Sequence, residues 1–195
     1  MNLYDDKFFR NHEKKAPVLR SYAKELYDIY TPKSVIDVGC GPGHAISWLH
    51  TNGVKVLGLE YSLAAAKRAA DVTVRDSIKY CDVTEWPDNW NYPKFDLAIS
   101  WHMAEHVHAK FANAIIDGMT KLSDVIHWSA ASSGQAGVGH VNCKPLKWWE
   151  NLFNEFGYRL DREATDRWYI PIEKKYGDSR QGQRIRDNAM IFVKT

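Results

Sequence analysis

The chain has 195 residues, 26 of them Lys or Arg and 24 Asp or Glu, for a formal net charge of +2 and a pI near 8.3. The length suits one well-cored domain and is short for two, and the charge balance is too even to argue for a nucleic-acid partner. Three cysteines (Cys40, Cys81, Cys143) make neither a CxxC nor an even set, which speaks against disulfides and zinc knuckles and for a reducing compartment.

The chain opens MNLYDDKFFRNHEKK, charged where a signal peptide is apolar, and contains no run of membrane-spanning length, so a cytoplasmic domain without a membrane partner is expected. Val18, Tyr22, Leu26 and Ile29 then recur at helical spacing until Thr31-Pro32 stops them, defining an N-terminal helical cap over 1–31. The remainder, 32–195, reads as the core of the same single domain. SVIDVG is a strand, followed by a helix through Ile46, Trp48 and Leu49. VKVLGLE (54–60) is a second strand, and SLAAAKRAA an Ala-rich helix with Ser62 in the N-cap position.

A weaker strand is expected around 78–81, and FDLAISW (95–101) is a buried one. Phe111, Ala114, Ile115, Gly118, Met119 and Leu122 mark one face of a helix, and DVIHWSA (124–130) is the next strand. Pro145 opens a helix whose inner face is Leu146, Trp149, Leu152, Phe153 and Phe156, closed by Gly157. Strands near 158–164 and 188–194 finish the chain, with KKYGDSRQGQRIR (174–186) as a solvated link between them and no clear intervening helix. Trp86, Trp90, Trp101 and Trp168 fall in expected loops, where they either cover core edges or face a ligand.

Strand alternating with helix at this spacing calls for an α/β, doubly wound, Rossmann-like sheet of seven mostly parallel strands, with an antiparallel last strand at one edge. Its site belongs at the carboxyl ends of the strands. There lies VIDVGCGPGH (35–44), with three glycines in five positions. It lacks the GxxxxGK of a phosphate loop, its third glycine is one place early for GxGxxG, and Asp37 would repel a pyrophosphate. A ligand with a cationic head suits it better.

Glu60 ends the second strand, 17 residues beyond Gly43, where a carboxylate can bond both hydroxyls of an adenine-linked ribose. Asp82 follows the third strand and can accept from an exocyclic amine. Three acids at three successive strand ends describe a site for a nucleoside with a positive tail and no phosphate.

These segments, VIDVGCGPGH, LGLEYS, CDVTEW and FDLAISW, resemble motifs I to IV of the class I S-adenosylmethionine-dependent methyltransferases. YDDKFF, SAASSGQAGVGHVNCKPLKWW and NAMIFV resemble a family of small methyltransferase domains often associated with glycan and natural-product biosynthesis. The resemblance implies that Asp37, Gly39, Gly41 and Gly43 cradle the methionine part of S-adenosylmethionine and that Glu60 takes its ribose. It also implies that Asp82 and the backbone at Val83 read the adenine, with Tyr61 or Trp86 against the ring, and Trp101 is counted with the cofactor residues. The implied acceptor is a small hydroxylated molecule, a sugar or glycan intermediate being the expectation.

A hydroxyl acceptor needs its proton removed. The fourth strand runs into WHMAEHVH (101–108), where His102, Glu105 and His106 can share one side of a nascent helix, and GHVN supplies His140. The segment resembles the ExxEH stretch of ubiquinone-pathway and small-RNA terminal 2′-O-methyltransferases, but with His102 in place of the first Glu. Three readings stand. His102, Glu105, His106 and His140 form a site for a divalent metal, zinc, manganese or iron rather than magnesium; or one histidine, His140 or His102, is a general base without metal; or Glu105 and His106 are structural. SSGQAGVGHVN (132–142) is either a lid over the acceptor or a plain connection. RNA-terminal ribose methylation and a non-catalytic adenosylmethionine-binding role remain as alternatives to small-molecule O-methylation.

Overall fold

A computed structural model describes residues 8–10, 13–69, 71–87, 90, 92–177 and 188–195. After a 3-10 turn at Glu13–Lys15 come helix α1 (Ala16–Tyr30), β1 (Ser34–Val38), α2 (His44–Thr51), β2 (Lys55–Glu60), α3 (Leu63–Lys67), α4 (Val72–Arg75) and β3 (Ile78–Tyr80). β4 (Leu97–Trp101) leads through 3-10 turns at Ala104–His106 and Ala109–Phe111 into α5 (Ala112–Leu122), β5 (Val125–Ser129), α6 (Leu146–Glu155), β6 (Tyr158–Leu160), α7 (Arg162–Tyr176) and β7 (Ala189–Lys194).

The seven strands lie in the order β3-β2-β1-β4-β5-β7-β6. β1 to β5 are parallel, and β7 runs antiparallel to both β5 and β6. The antiparallel last strand is thus inserted between β5 and β6 rather than added at the edge. Strand order reverses between β1 and β4, whose Asp37 and Ile99 are in register. In an open α/β sheet that reversal leaves a crevice outside the carboxyl ends of the strands.

Strand residues alternate between two covered faces, as period-two side chains must when helices lie on both sides. On one face Val35, Leu97, Ile99 and Ile191 pack with Val18, Tyr22 and Leu26 of α1, Leu49 of α2 and Trp168 of α7. On the other Ile36, Ala98, Ile126, Trp128 and Phe192 meet Ile115 and Met119 of α5 and Trp149 and Phe153 of α6. Phe153 stacks on Phe192 with ring centroids 3.9 Å apart. Helix α1 ends where expected, its Thr31 taking the left-handed C-cap conformation (φ 42°) and donating to the Tyr27 carbonyl.

Three expectations change. A 15-residue helix, α7, separates β6 from β7, so Lys174, Lys175 and Tyr176 end a helix rather than begin a link, and β6 is only three residues long; residues 178–186 lie outside the described residues. Asp161 caps α7 by accepting the Ala164 N–H at 3.0 Å, and Ala164, Trp168 and Ile172 form its buried stripe. Trp168 is therefore a core helix residue. The Ala-rich helix stops at Lys67, and Ser62, though at its N-cap, makes no side-chain capping bond to it.

Candidate active site

One cavity of about 570 Å³ opens at the carboxyl ends of β1 to β4, within the ~300–1,000 Å³ common for small-molecule sites. Of the residues singled out above, Asp37, Gly39, Gly41, Glu60, Tyr61, Asp82, Val83, Trp101, His102, Glu105, His106 and His140 line it. Gly43 and Trp86 do not. Gly43 is the N-cap of α2, and Trp86 lies against Gly118 of α5 with Trp90 edge-on to it, among the core side chains.

The N–H groups of Gly39, Cys40, Gly41 and Gly43 are all taken up by protein contacts. Glu60 accepts the Gly41 N–H at 2.8 Å on one oxygen and the Ser62 N–H at 2.7 Å on the other. Gly39 and Cys40 donate to the Leu59 carbonyl at 2.8 and 3.1 Å. Gly39 sits at φ 78°, and a Cβ there would come within 2.4 Å of the Met103 side chain, so only glycine lets the loop after β4 rest on the loop after β1.

Asp37 is buried beneath the loop, and burial, aided by the charge of Glu60, pushes its carboxyl up to about 8. Burial likewise raises Glu60, against the backbone N–H groups of Ser62, Gly41 and Tyr61 that favour its ionised form. Two carboxyl groups held above their ordinary range are relieved by a cation brought beside them. Asp82 accepts both the N–H (2.9 Å) and the hydroxyl (2.7 Å) of Thr84, closing a tight turn after β3. Tyr61 is more than half exposed at the rim, beside Tyr80.

The second half of the site follows β4. His102 takes a left-handed backbone (φ 55°), a conformation that costs a non-glycine residue about 1–3 kcal/mol. Its N–H donates to the Ser129 carbonyl at 2.9 Å, holding the turn against β5. The expected shared helical side is not formed: His102 precedes a 3-10 turn that contains Glu105 and His106. His102 nonetheless donates from Nδ1 to Glu105 Oε1 at 3.0 Å. Glu105 is 1% exposed. Burial raises its carboxyl, but the bond from His102 and the nearby imidazoles outweigh it and leave the group below its ordinary range. His106 is pushed down, chiefly by burial, with Glu105 opposing.

The loop after β5 brings His140 to the same place. The Glu105 carbonyl accepts the N–H groups of Val141 and Asn142 at 2.8 and 3.1 Å, and the Asn142 amide reaches the Ala104 carbonyl at 3.3 Å. His140 donates from Nδ1 to the Gln135 carbonyl at 3.0 Å, and His106 from Nδ1 to the Gly139 carbonyl at 3.3 Å. The two rings stand nearly perpendicular, 5.0 Å between centroids. Glu105, His106 and His140 each present a ligand atom within 4.8 Å of the others, whereas His102 stands outside that set and bonds to its carboxylate.

Several lining residues are not singled out individually as site residues by the sequence, although they lie in or beside segments that are. Phe9 lies over the glycine loop, its ring 3.8 Å from where a Gly41 Cβ would be. Tyr22 fitted the core stripe of α1, and it does pack there, but the same face reaches the cavity. His44, directly after the glycine loop, lines the cavity 6% exposed, with neither ring nitrogen partnered among the described residues. Gln135 supplies the carbonyl under His140 and is itself held by Asn188, whose amide donates to its Oε1 at 2.8 Å.

Fold, crevice and strand-end acids together define a methyltransferase of the Rossmann-like class. The methyltransferase-domain family matches residues 9–123, and the chain belongs to that family. Its fold is that of the class I S-adenosylmethionine-dependent enzymes.

Among solved structures it is similar to magnesium protoporphyrin IX methyltransferase from Synechocystis with bound SAH (17% identity, TM-score 0.66, covering 94% of this chain and 84% of that one). It is similar to a TehB-like SAM-dependent methyltransferase from Corynebacterium glutamicum (14% identity, TM-score 0.65, 97% of each chain). It is also similar to the plantazolicin methyltransferase BpumL in complex with SAH (13% identity, TM-score 0.63, 97% of this chain and 89% of that one). No curated protein matches the sequence.

Proposed function

We propose that the protein transfers a methyl group from S-adenosylmethionine to the hydroxyl of a small acceptor. The observation that carries this reading is the convergence of Glu105, His106 and His140, ligand atoms within 4.8 Å of one another, on the wall of the same cavity that the glycine loop closes. In this reading Asp37 meets the cationic end of the donor, Glu60 takes its ribose through lone pairs not used by Gly41 and Ser62, and the turn at Asp82 and Val83 bounds the adenine. Tyr61 packs at the adenine rim. Binding both reactants in one crevice supplies the alignment that a displacement at a methyl carbon demands.

The histidines act on the hydroxyl. Each Nδ1–H is committed to a backbone carbonyl, which places the lone pair of His106 and His140 on Nε2, where a proton can be received. His102 fixes the orientation of the buried Glu105 carboxylate. The same three side chains fit a divalent ion such as zinc, manganese or iron, since two imidazoles and a carboxylate are suitable donors and ligating histidines are oriented by just such outer bonds. An ion bound there would make the hydroxyl more acidic.

The test is transfer of labelled methyl from S-adenosylmethionine into a metabolite extract, with the product identified by mass, for the native protein and for His106→Ala and His140→Ala. The reading expects O-methylated product that both variants lose. Product methylated on nitrogen or carbon, or undiminished in both variants, refutes the hydroxyl assignment; binding of the donor without any transfer favours a non-catalytic role.

A further inference from the structure

The site proposed above has two unlike halves, and the one beside α1 is mostly aromatic and aliphatic. Phe8, Phe9, Val18, Leu19, Tyr22 and Trp101 line the cavity on the side of α1. Phe8 and Phe9 stand edge to face at 5.2 Å, Tyr22 and Trp101 at 5.6 Å, and Leu19 and Trp101 both pack against the cluster that holds Val18 and Tyr22. Trp101 adds no hydrogen-bond donor to the cavity. Its indole N–H is turned inward to Nδ1 of the buried His127, 2.6 Å away, and His127 rests in turn on Trp168 with centroids 4.1 Å apart. On that side the polar groups among the described residues are the Lys15 ammonium, the Tyr22 hydroxyl and, at the start of α2, the imidazole of His44.

The carboxylates of the cavity lie elsewhere: Asp37 sits under the glycine loop, and the other three each hold a neighbouring group. Glu60 holds Gly41 and Ser62, Asp82 holds Thr84, and Glu105 holds His102. A monosaccharide closed into this space brings several hydroxyls against a mostly aromatic and aliphatic surface that offers partners to few of them, and each buried polar group left unpaired is costly. A flat ring carrying one or two hydroxyls places those at the histidines and its π faces and edges against aromatic neighbours, the arrangement such rings favour. Trp101 also connects the two halves, because the next residue in the chain is His102.

From this division we infer that the methyl acceptor is a hydroxylated aromatic compound rather than the carbohydrate that the sequence resemblance led us to expect; the inference rests on the methyltransferase reading of the same cavity. The test uses the intact protein saturated with adenosylhomocysteine and two probes, 2-naphthol and a methyl glucoside, titrated by tryptophan fluorescence and calorimetry. Each probe is also offered with labelled S-adenosylmethionine. A second protein, Leu19→Gln, places an amide on the wall at a half-buried helix position that spares the fold.

Naphthol uptake and methylation, with the glucoside inert, are expected, and Leu19→Gln should weaken naphthol about tenfold or more while changing adenosylhomocysteine affinity less than about twofold. Preference for the glucoside, equal uptake of both, uptake of neither, or an unaltered Leu19→Gln overturns the acceptor class. Loss of adenosylhomocysteine binding to the native protein would instead overturn the methyltransferase reading itself.

Discussion

Glu60 and Gly41 join two strand ends across 19 residues: the carboxylate at the tip of β2 accepts the glycine N–H at 2.8 Å, while its other oxygen accepts the N–H of Ser62. The side chain therefore shapes the loop, and in the proposed reading it also takes the ribose of the donor. Replacing it, Glu60→Ala, removes hydrogen bonds to a charged group worth about 1.5–3 kcal/mol each. The dissociation constant for adenosylhomocysteine should rise by roughly ten- to a hundredfold in calorimetry. An affinity within about twofold of the native value would show that Glu60 neither shapes nor contacts the donor site.

Asp37 makes the free protein sensitive to alkali. Its folded-state pKa of about 8 lies above the ~3.9 of an unfolded aspartate, so the folded state holds the proton more tightly. The stability this lends is fully present below about pH 4 and is lost as pH rises through about 8. Glu60, raised by burial, adds in the same direction. Scanning calorimetry of the ligand-free protein should show the melting temperature falling toward pH 8, with Asp37→Asn flattening the fall. Saturating adenosylhomocysteine, whose ammonium group favours the ionised carboxylate, should reduce it too. An unchanged slope in Asp37→Asn would place the titration on another group.

Gly137 offers a way to move His140 without removing it. A Cβ on Gly137 would come within 2.1 Å of His140 Nε2, and the backbone there is not in the left-handed region. Gly137→Ala should therefore fold normally and push the imidazole aside, slowing methyl transfer by on the order of a hundredfold, the usual cost of an ångström of misplacement. Full activity with an unshifted His140 resonance would show that the ring is not held by this contact.

Metal content tests the cluster directly. If Glu105, His106 and His140 hold an ion, purified protein carries about one equivalent, and a chelator lowers activity until zinc, manganese or iron is returned. Glu105→Gln keeps the shape of the buried side chain while removing its charge, and should lower occupancy. Metal-free protein with full activity in the presence of EDTA leaves the histidines as proton acceptors alone.

The parallel half of the sheet was legible because each strand is a run such as VIDV or LAIS followed by an amphipathic helix, and strand ends could be counted off to Asp37, Glu60 and Asp82. Helix α7 was also written in the chain, in Asp161 as its cap and in Ala164, Trp168 and Ile172 at four-residue intervals. Pro171 and the basic run after it masked that stripe. Trp86 illustrates the opposite difficulty. Nothing local distinguishes a tryptophan that meets a ligand from one that covers α5, because the choice is made by packing with residues thirty positions away. The meeting of His106 with His140 was legible only as a shared crevice; the Nδ1 bonds that aim them depend on two loop carbonyls, at Gly139 and Gln135, which no residue pattern reveals.

The placement of β7 bears on how the protein is made. β6 has its sheet partner in β7, and β7 lies between it and β5. While the chain emerges from the ribosome, β5 keeps an open edge and β6 has nothing to pair with until residues 189–194 arrive. The parallel half, glycine loop included, can assemble earlier, but the stack of Phe153 on Phe192 must wait for this segment. A nascent chain stalled before residue 189 would thus expose an apolar sheet edge, the kind of surface that chaperones capture and that aggregates when they do not.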